Sequence, residues 1–272
     1  MQTCPSDLVL PDWGKIWQQT LGWSPSPEQL QQFEALYHQI VAGNHQFNLT
    51  RITEPREFLE KHLWDSLYGI KPWLTRTTEM LQFLSPSNQT TNQDLATTTS
   101  PFAAQLKVID IGTGAGFPGV PVAMVQPQWS LTLLDSTRKK IAFLDTLKQI
   151  LSLTYVIPCC DRAEILGQRA SHRQTFDLAL IRAVSSATVC AEYALPFLKL
   201  NGLAILYRGQ WTPIEHQALT VALKQLGGEI AAVSATQTPK TAAQRHCIYL
   251  RKLTPTPSEF PRRAGLPAQQ PL

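Results

Sequence analysis

The 272-residue sequence lacks long apolar runs, and no stretch of about 18 consecutive apolar residues predicts a membrane-spanning helix. The first residues, MQTCPSDLVLPDW, also lack the basic segment and the apolar core that begin a secretory signal. These two absences predict a cytoplasmic protein that has no membrane partner.

Cysteine is scarce too, and no two cysteines are spaced as a CxxC pair. The five cysteines are Cys4, Cys159, Cys160, Cys190 and Cys247. Their spacing predicts neither a disulfide framework nor a metal site. We expect them to be small buried hydrophobic residues in a reducing compartment.

Charged residues make up only 16% of the sequence, and the net charge of +4 is unevenly distributed. Residues 1–105 carry 6 Lys and Arg against 10 Asp and Glu, residues 106–250 carry 14 against 9, and residues 251–272 carry 4 against 1. This distribution favours a polyanion bound by the middle and the end of the chain rather than by its beginning. The alternative is that these charges form an ordinary solvated surface.

The first 75 residues predict a helical cap. Apolar residues recur with helical spacing over residues 27–43, between a proline start and a stop at Gly43, and again over residues 54–70. Residues 76–105 are instead rich in Thr, Asn and Gln and have few apolar residues. That composition predicts a mobile low-complexity insertion between two folded parts.

From residue 106 to residue 253, short β-branched runs alternate with helical patterns. The predicted strands are LKVIDIG, SLTLLDS, TYVIPCC, FDLALIRA and GLAILYR, followed by two near residues 229–236 and 246–252; the predicted helices lie near 119–126, 138–152, 187–199 and 213–226. This alternation predicts an α/β fold with a doubly wound, mostly parallel seven-stranded sheet that ends in an antiparallel hairpin. The proline-rich residues 254–272 predict an extended tail that is either docked or mobile.

The first strand leads into a turn that is dense in glycine, within VIDIGTGAGFPG at residues 108–119. Gly112, Gly114 and Gly116 let the backbone approach a ligand beyond the strand end and direct N–H groups toward it. Asp135 ends the next strand, where its carboxylate can accept two hydrogen bonds from a ribose diol. The pattern therefore predicts a cofactor that contains adenosine.

Asp110 favours S-adenosylmethionine as that cofactor, because it lies where it can bind an ammonium group that NAD lacks. Gly119 completes a GxGxxG pattern, but Pro118 and Pro121 flank it. We therefore expect Gly119 not to make the close helix–strand contact of a dinucleotide fingerprint. NAD and a purely structural turn remain the alternatives.

Six motifs together resemble one family. In order, they are NLTRI…FLEKHLWDSL, VIDIGTGAGFPGVPVA, LLDSTRKKIAFL, FDLALIRAV, EYALPFLKLNGLAILYRG and FPRRAGLPAQQPL. The chain resembles the bacterial 16S ribosomal RNA guanine-N7 methyltransferases, the glucose-inhibited division protein B family, from about residue 28 to its end, apart from residues 75–105. The resemblance implies a class I methyltransferase-like sheet with an N-terminal helical extension. It also implies a substrate guanine in the decoding-region hairpin of small-subunit rRNA, as naked rRNA or within the 30S particle.

The resemblance also assigns roles to residues at the strand ends. It implies that Gly112 and Phe117 line the cofactor site, and that Arg182, at the end of the fourth strand, lies beside both the cofactor and the target base. The other implied cofactor contacts are Asp135, Ser136 and Thr137 at the ribose and the adenine edge, and Ala163 and Glu164 on the adenine side. With Asp110, Gly114 and Gly116, these residues form the predicted cofactor site.

The chemistry of the target atom agrees with this family. An exocyclic amine favours an acidic or amide residue followed by Pro-Pro and an aromatic residue, but the sequence after the fourth strand is IRAVSS. A pyrimidine carbon requires a cysteine nucleophile, and the nearest, Cys190, falls inside a predicted helix. Guanine N7 carries a lone pair and no proton, so it needs only positioning. Arg182 is the first candidate to orient the base, and Arg208, where the family more often has lysine, is the second.

Basic residues outside the cofactor site are the candidates for RNA contacts: Arg138, Lys139, Arg262 and Arg263. For Arg262 and Arg263, an ion pair that fixes the tail is an equal alternative to contact with the RNA backbone. His62 and Asp65 share a helix face and are predicted either to fix the cap to the sheet or to line the pocket. We expect a monomer without a metal ion.

Two other functions remain open from the sequence. The chain could be a methyltransferase for another substrate, or a non-catalytic rRNA-binding assembly factor that keeps a vestigial cofactor loop. Cofactor binding separates the second function from the first.

Overall fold

The computed structural model describes residues 9–76 and 105–272. Apart from its two end residues, the insertion predicted at 76–105 lies outside these residues, and so does Cys4. The described part of the chain contains one sheet, whose strands are β1 (Lys107–Ile111), β2 (Ser130–Asp135), β3 (Val156–Cys160), β4 (Phe176–Arg182), β5 (Leu198–Arg208), β6 (Gly228–Gln237) and β7 (Gln244–Lys252).

The strand order is β3-β2-β1-β4-β5-β7-β6. The first five strands pair in parallel, and β7 lies antiparallel to both β5 and β6. This arrangement confirms the predicted seven-stranded, mostly parallel sheet of a class I methyltransferase with a terminal hairpin. The chain order reverses between β1 and β4, and a ligand crevice forms beyond the carboxyl ends of strands at such a point.

Helices cover both faces of the sheet. In chain order they are α1 (Gly14–Leu21), α2 (Pro27–Phe47), α3 (Pro55–Phe58, continued by the π-helical Leu59–Trp64 and by Asp65–Tyr68), α4 (Lys71–Thr75), α5 (Gly119–Val125), α6 (Arg138–Ile150), α7 (Ala163–Leu166), α8 (Ala187–Ala194), α9 (Pro213–Leu226) and α10 (Leu266–Gln269). One hydrophobic core joins the cap helices to α5, α6 and the sheet, and the other joins α8 and α9 to the opposite face. None of the described helices is both long enough and apolar enough to cross a membrane.

Helix α2 begins where the sequence predicted but ends later. A capping box forms at its start, because the Ser26 hydroxyl accepts from the Gln29 backbone N–H and the Gln29 side chain accepts from the Ser26 backbone N–H. The predicted stop at Gly43 was wrong, since the helix continues to Phe47. A Cβ at residue 43 would lie 2.5 Å from the Phe143 ring. Gly43 therefore permits close packing of α2 on α6 rather than ending a helix.

Helix α3 is bound to the sheet through hydrogen bonds from buried side chains. The Tyr207 hydroxyl donates to the Ser66 carbonyl oxygen at 2.9 Å, and the Tyr249 hydroxyl donates to the Gly69 carbonyl oxygen at 3.0 Å. At the other end of α3, buried Glu60 accepts from the backbone N–H groups of Lys240 and Thr241, in the loop between β6 and β7. The cap is thus continuous with the sheet in packing and in hydrogen bonding.

Candidate active site

The glycine turn lies at the carboxyl end of β1, as predicted. Gly112, Gly114 and Gly116 have positive φ angles of 72°, 61° and 100°. The N–H groups of Gly112 and Thr113 donate to the Leu134 carbonyl oxygen of β2, which fixes the turn. A Cβ at residue 112 would lie 2.5 Å from Val184 Cγ2, in the loop after β4. Glycine is therefore required here by both the backbone conformation and the space.

Gly119 makes the close contact that its flanking prolines had argued against. Its N–H donates to Asp110 Oδ2 at 2.8 Å, and an added Cβ would collide with Leu133 of β2 and lie 2.7 Å from the same oxygen. The expectation that Gly119 does not bring helix and strand together was wrong. Gly119 therefore does not distinguish S-adenosylmethionine from NAD, and the choice of cofactor depends on Asp110 and on the family.

Asp110 is fully buried beneath the turn. While Oδ2 accepts from Gly119, neither Asp110 Oδ1 nor the nearby Thr113 hydroxyl has a partner at hydrogen-bond geometry in the described part of the chain, although the hydroxyl is close enough to lower the pKa of the Asp110 carboxyl. Burial raises the pKa of the Asp110 carboxyl to about 6. A buried carboxylate with a free oxygen is a strong acceptor for a cationic ligand group, because no water competes for it.

Asp135 closes the neighbouring strand end. One of its oxygens accepts from the Gly114 N–H at 3.0 Å and the other from the Thr137 N–H at 2.8 Å, while Lys140 Nζ lies 3.8 Å away. These donors orient the carboxylate, and each oxygen keeps a further lone pair for a ribose hydroxyl. The adjoining cleft is lined by Ile111, Gly112, Leu134, Asp135, Ser136, Asp161, Arg162, Ala163, Glu164, Val184 and Tyr193.

Glu164 lines this cleft but is also bound from behind. Its Oε1 accepts from Arg162 Nη2 and from the Gly265 N–H, both at 2.8 Å. Burial alone raises the pKa of a carboxyl, but these hydrogen bonds outweigh it and hold the pKa of Glu164 below its ordinary value. Glu164 is therefore an anion that joins the cleft to the C-terminal segment, a link that the sequence did not indicate.

Arg182, at the end of β4, is bound to α3. Its Nη1 donates to the Lys61 carbonyl oxygen at 2.7 Å and to Asp65 Oδ2 at 2.9 Å, and its Nη2 lies 3.2 Å from His62 Nδ1. Its Cζ lies 5.7 Å from the centroid of the Phe117 ring. The predicted candidates Arg182 and Phe117 are thus brought together.

The sequence did not indicate how His62 joins these two residues. Its ring stacks on Phe117 with the centroids 4.2 Å apart and the planes 9° apart. Burial, followed by the nearby Arg182, lowers the pKa of His62 to about 3, so the ring is neutral. Because Nδ1 accepts from Arg182, the proton is on Nε2, which lies 2.9 Å from the Thr50 hydroxyl. His62 thus joins the cap to the turn after β1 and to Arg182 of β4, as one of its two expectations states, and a place in the pocket lining stays a prediction.

Arg208, the second candidate for the base, has a different set of contacts. Its Nη1 donates to the Ser185 carbonyl oxygen at 2.7 Å, and its Nη2 forms an ion pair with Glu215 at 3.0 Å. Arg208 therefore holds the loop that follows β4. The role of base contact stays a prediction for Arg208.

The predicted RNA-contacting residues divide into two groups. Arg138, Lys139 and Arg263 are exposed. Arg262 is paired inside the chain, because its Nη2 lies 2.6 Å from Oε2 of fully buried Glu192. The ion-pair alternative thus holds for Arg262, and its contact with the RNA backbone stays a prediction.

The four cysteines among the described residues form no disulfide with one another. Cys159, Cys160, Cys190 and Cys247 are free thiols; the last two are buried, whereas Cys160 is exposed, contrary to the expectation of burial. Burial raises the pKa of the Cys190 thiol to about 11. Among residues 9–76 and 105–272, no group of three or more His, Cys, Asp or Glu is placed to hold a metal ion.

A family model described as GidB, rRNA small subunit methyltransferase G, matches residues 29–82 and 91–248. The chain is also similar to proteins named Ribosomal RNA small subunit methyltransferase G. That of Trichormus variabilis is 50% identical over 264 residues, which cover 97% of this chain and 99% of that protein. Those of Nostoc punctiforme and Synechococcus elongatus are 51% and 52% identical, over 97% and 94% of this chain and 99% and 95% of theirs. The chain therefore belongs to the GidB family of rRNA small subunit methyltransferases.

Proposed function

We propose that this S-adenosylmethionine-dependent methyltransferase methylates N7 of a guanine in the decoding-region hairpin of 16S rRNA. The observation that carries the proposal is Asp110, whose Oδ1 is buried and free beside a turn that admits no side chain at Gly112. Family membership supports methyl transfer to small-subunit rRNA. The relatives' names support the cytoplasm as the place of action, since rRNA is found there.

The residues present fit the cofactor. Asp110 would accept a hydrogen bond from the ammonium group of the cofactor, and Asp135 would accept from its ribose hydroxyls. Because Gly112 has no side chain, the backbone of the turn could lie close to the cofactor. Ser136, Thr137, Ala163 and Glu164 would complete the adenosine end of the cleft. When bound, S-adenosylmethionine supplies a methyl group on a positively charged sulfur.

The proton chemistry of the site supports guanine N7 as the acceptor. N7 attacks with its own lone pair, and no proton has to leave it, so the transfer needs alignment rather than a general base. His62 is neutral with both ring nitrogens engaged, and the Cys190 thiol stays protonated at neutral pH. These groups therefore offer neither a free base nor a thiolate nucleophile, as methylation of a pyrimidine carbon would require.

Arg182 would orient the guanine. Three of its five N–H groups donate to Lys61, Asp65 and His62, which leaves Nε–H and one N–H of Nη2. Those two donors can reach guanine O6 while N7 stays free for the methyl group. The contacts with α3 hold the guanidinium in place before the base arrives.

Exposed Arg138, Lys139 and Arg263 would bind the RNA backbone, because phosphates are recognised chiefly by arginine and lysine. The excess of Lys and Arg over Asp and Glu after residue 105 supports RNA binding by this surface.

The test incubates the protein and S-adenosylmethionine with small ribosomal subunits, or with naked 16S rRNA, from a strain that lacks the enzyme. Modified guanines are mapped by N7-specific strand cleavage. We expect one new cleavage in the decoding-region hairpin, and a rate about 100-fold lower for Arg182→Lys, because lysine cannot reproduce a planar set of donors. The control is Lys199→Gln, which removes a surface ion pair with Asp177 and should match the wild type.

The other functions give different results. Cofactor binding without cleavage in the hairpin would point to another substrate. RNA binding without cofactor binding would point to a non-catalytic assembly factor.

A further inference from the structure

The C-terminal segment, residues 254–272, packs against the turn that follows α7. Arg173 donates from its two Nη atoms to carbonyl oxygens of the segment, those of Thr256, Pro257 and Phe260, at 2.7, 2.9 and 2.6 Å. Gln168 Nε2 donates to two more, those of Ser258 and Pro261. The extended tail predicted from the sequence is thus a docked segment, and it contains the short helix α10.

Arg262 fixes this segment to α8. Its backbone N–H and its Nε donate to Glu192 Oε1 at 2.8 and 2.9 Å, and its Nη2 donates to Oε2 at 2.6 Å. Glu192 is fully buried and would be an uncompensated charge without this arginine. The next residue along α8, Tyr193, lines the cofactor cleft.

Three residues further along the segment, Gly265 reaches the cleft wall directly. Its N–H donates to Glu164 Oε1 at 2.8 Å. The same carboxylate also accepts from Arg162 and, at 3.4 Å, from the Tyr193 hydroxyl. Gly265 has a φ of 86°, which turns the chain back toward this carboxylate. The C-terminal segment thus contacts cleft-lining Glu164 directly, and it is connected to cleft-lining Tyr193 through the Glu164 carboxylate.

We infer that Arg262 and Gly265 are positioning residues for the cofactor, which hold Glu164 and Tyr193 at the adenosine end of the cleft. The inference rests on the proposed function, because it assumes that the cleft binds S-adenosylmethionine. It assigns the basic tail a role within the enzyme that does not require RNA. Since coupling between sites is reciprocal, cofactor binding must in turn stabilise the docked segment.

The first experiment measures cofactor affinity of the full chain by calorimetry, for the wild type, Arg262→Gln, Arg262→Lys and the control Lys199→Gln. We expect Arg262→Gln to bind S-adenosylmethionine about tenfold more weakly, within the usual range of coupling between sites. It should bind 5′-methylthioadenosine, which lacks the amino-acid part, more weakly by the same factor. Arg262→Lys, which keeps the charge, should recover most of the affinity, and Lys199→Gln should match the wild type.

A second variant distinguishes weaker cofactor binding from misfolding that a buried, unpaired Glu192 would cause. The double variant Arg262→Gln with Glu192→Gln removes both charges, and it should show the same weaker binding. In the wild type, hydrogen exchange of the Gly265 amide should slow when S-adenosylmethionine is added; the effect should be smaller in the double variant. A residue that only stabilised the fold would not produce this ligand-dependent protection.

Unchanged affinity for both ligands in Arg262→Gln and in the double variant would overturn the inference and leave the proposed function intact. Weaker binding to the rRNA hairpin with normal cofactor affinity would also overturn it and would support Arg262 as an RNA contact. A wild-type chain that binds no S-adenosylmethionine would overturn the proposed function as well.

Discussion

Asp110 should make cofactor binding depend on pH in a range where ordinary carboxyl groups no longer titrate. With its pKa at about 6, about ten in eleven Asp110 side chains are ionised at pH 7 and about one in eleven at pH 5. The amino group of S-adenosylmethionine stays charged across this range, since ordinary α-amino groups have pKa values near 8. Binding of that cation requires ionised Asp110, so the affinity should fall about tenfold from pH 7 to pH 5.

Calorimetric titration at several pH values measures this dependence, with 5′-methylthioadenosine as the control ligand that has no ammonium group. Its affinity should change little over the same interval. In Asp110→Asn, S-adenosylmethionine should bind weakly at pH 7 and should lose the pH dependence. A wild-type affinity that is constant between pH 5 and pH 7 would refute a direct contact between Asp110 and the ammonium group.

The contribution of Asp110 to the stability of the fold changes with pH in the opposite direction to its contribution to cofactor binding. Its pKa rises from the ordinary aspartate value of 3.8 to about 6 in the folded protein, so the folded state holds its proton more tightly than the unfolded chain does. The stability that Asp110 contributes is therefore present below pH 3.8 and is lost as the pH rises through about 6. Hence Asp110→Asn should unfold at no lower a temperature than the wild type at pH 7, which separates weak binding from misfolding.

Three further predictions concern packing and ionisation. Gly119→Ala should lower stability by about 1–3 kcal/mol in thermal melts, because its Cβ collides with β2, whereas Gly209→Ala, with no heavy atom within 4 Å of the new Cβ, should melt like the wild type. Gly43→Ala should also lower the melting temperature, although alanine favours helices, because its Cβ meets Phe143; a rise would contradict the packing argument. The His62 ring should show no NMR titration between pH 5 and pH 8, and a midpoint near 6.5 would contradict its burial as a neutral ring.

The sheet could be predicted because each of its strands has a local signal. β-branched runs alternate with helical patterns from residue 106, and the last two strands have no helix between them. The parallel direction of the first five strands and the antiparallel terminal hairpin therefore follow from the general rules for connections between strands. Helix ends were less accurate. Gly43 has the local signature of a stop, but its function is set by the Phe143 ring, which belongs to a helix about 100 residues away.

In the candidate site, too, some contacts could be predicted from the sequence and others could not. Asp110, the glycines and Asp135 lie at strand ends, and the carboxyl ends of neighbouring parallel strands meet, so their proximity follows from the topology. The stack of His62 on Phe117 and the bond from Gly265 to Glu164 join elements that are far apart in sequence. Their formation depends on how the cap and the tail dock, and no periodicity in the sequence encodes it.

The hydrogen bonds from Tyr207 and Tyr249 to α3 have a consequence for the evolution and engineering of this enzyme. If the catalytic half of the chain were expressed alone, Tyr207 and Tyr249 would lose these acceptors, and the apolar residues of the sheet that pack against the cap would be exposed to water. The sequence boundary between cap and sheet is therefore not a boundary between units that fold independently. A cap exchanged between distant relatives would have to bring its own carbonyl oxygens to the same two tyrosines, so the two halves are constrained to evolve together.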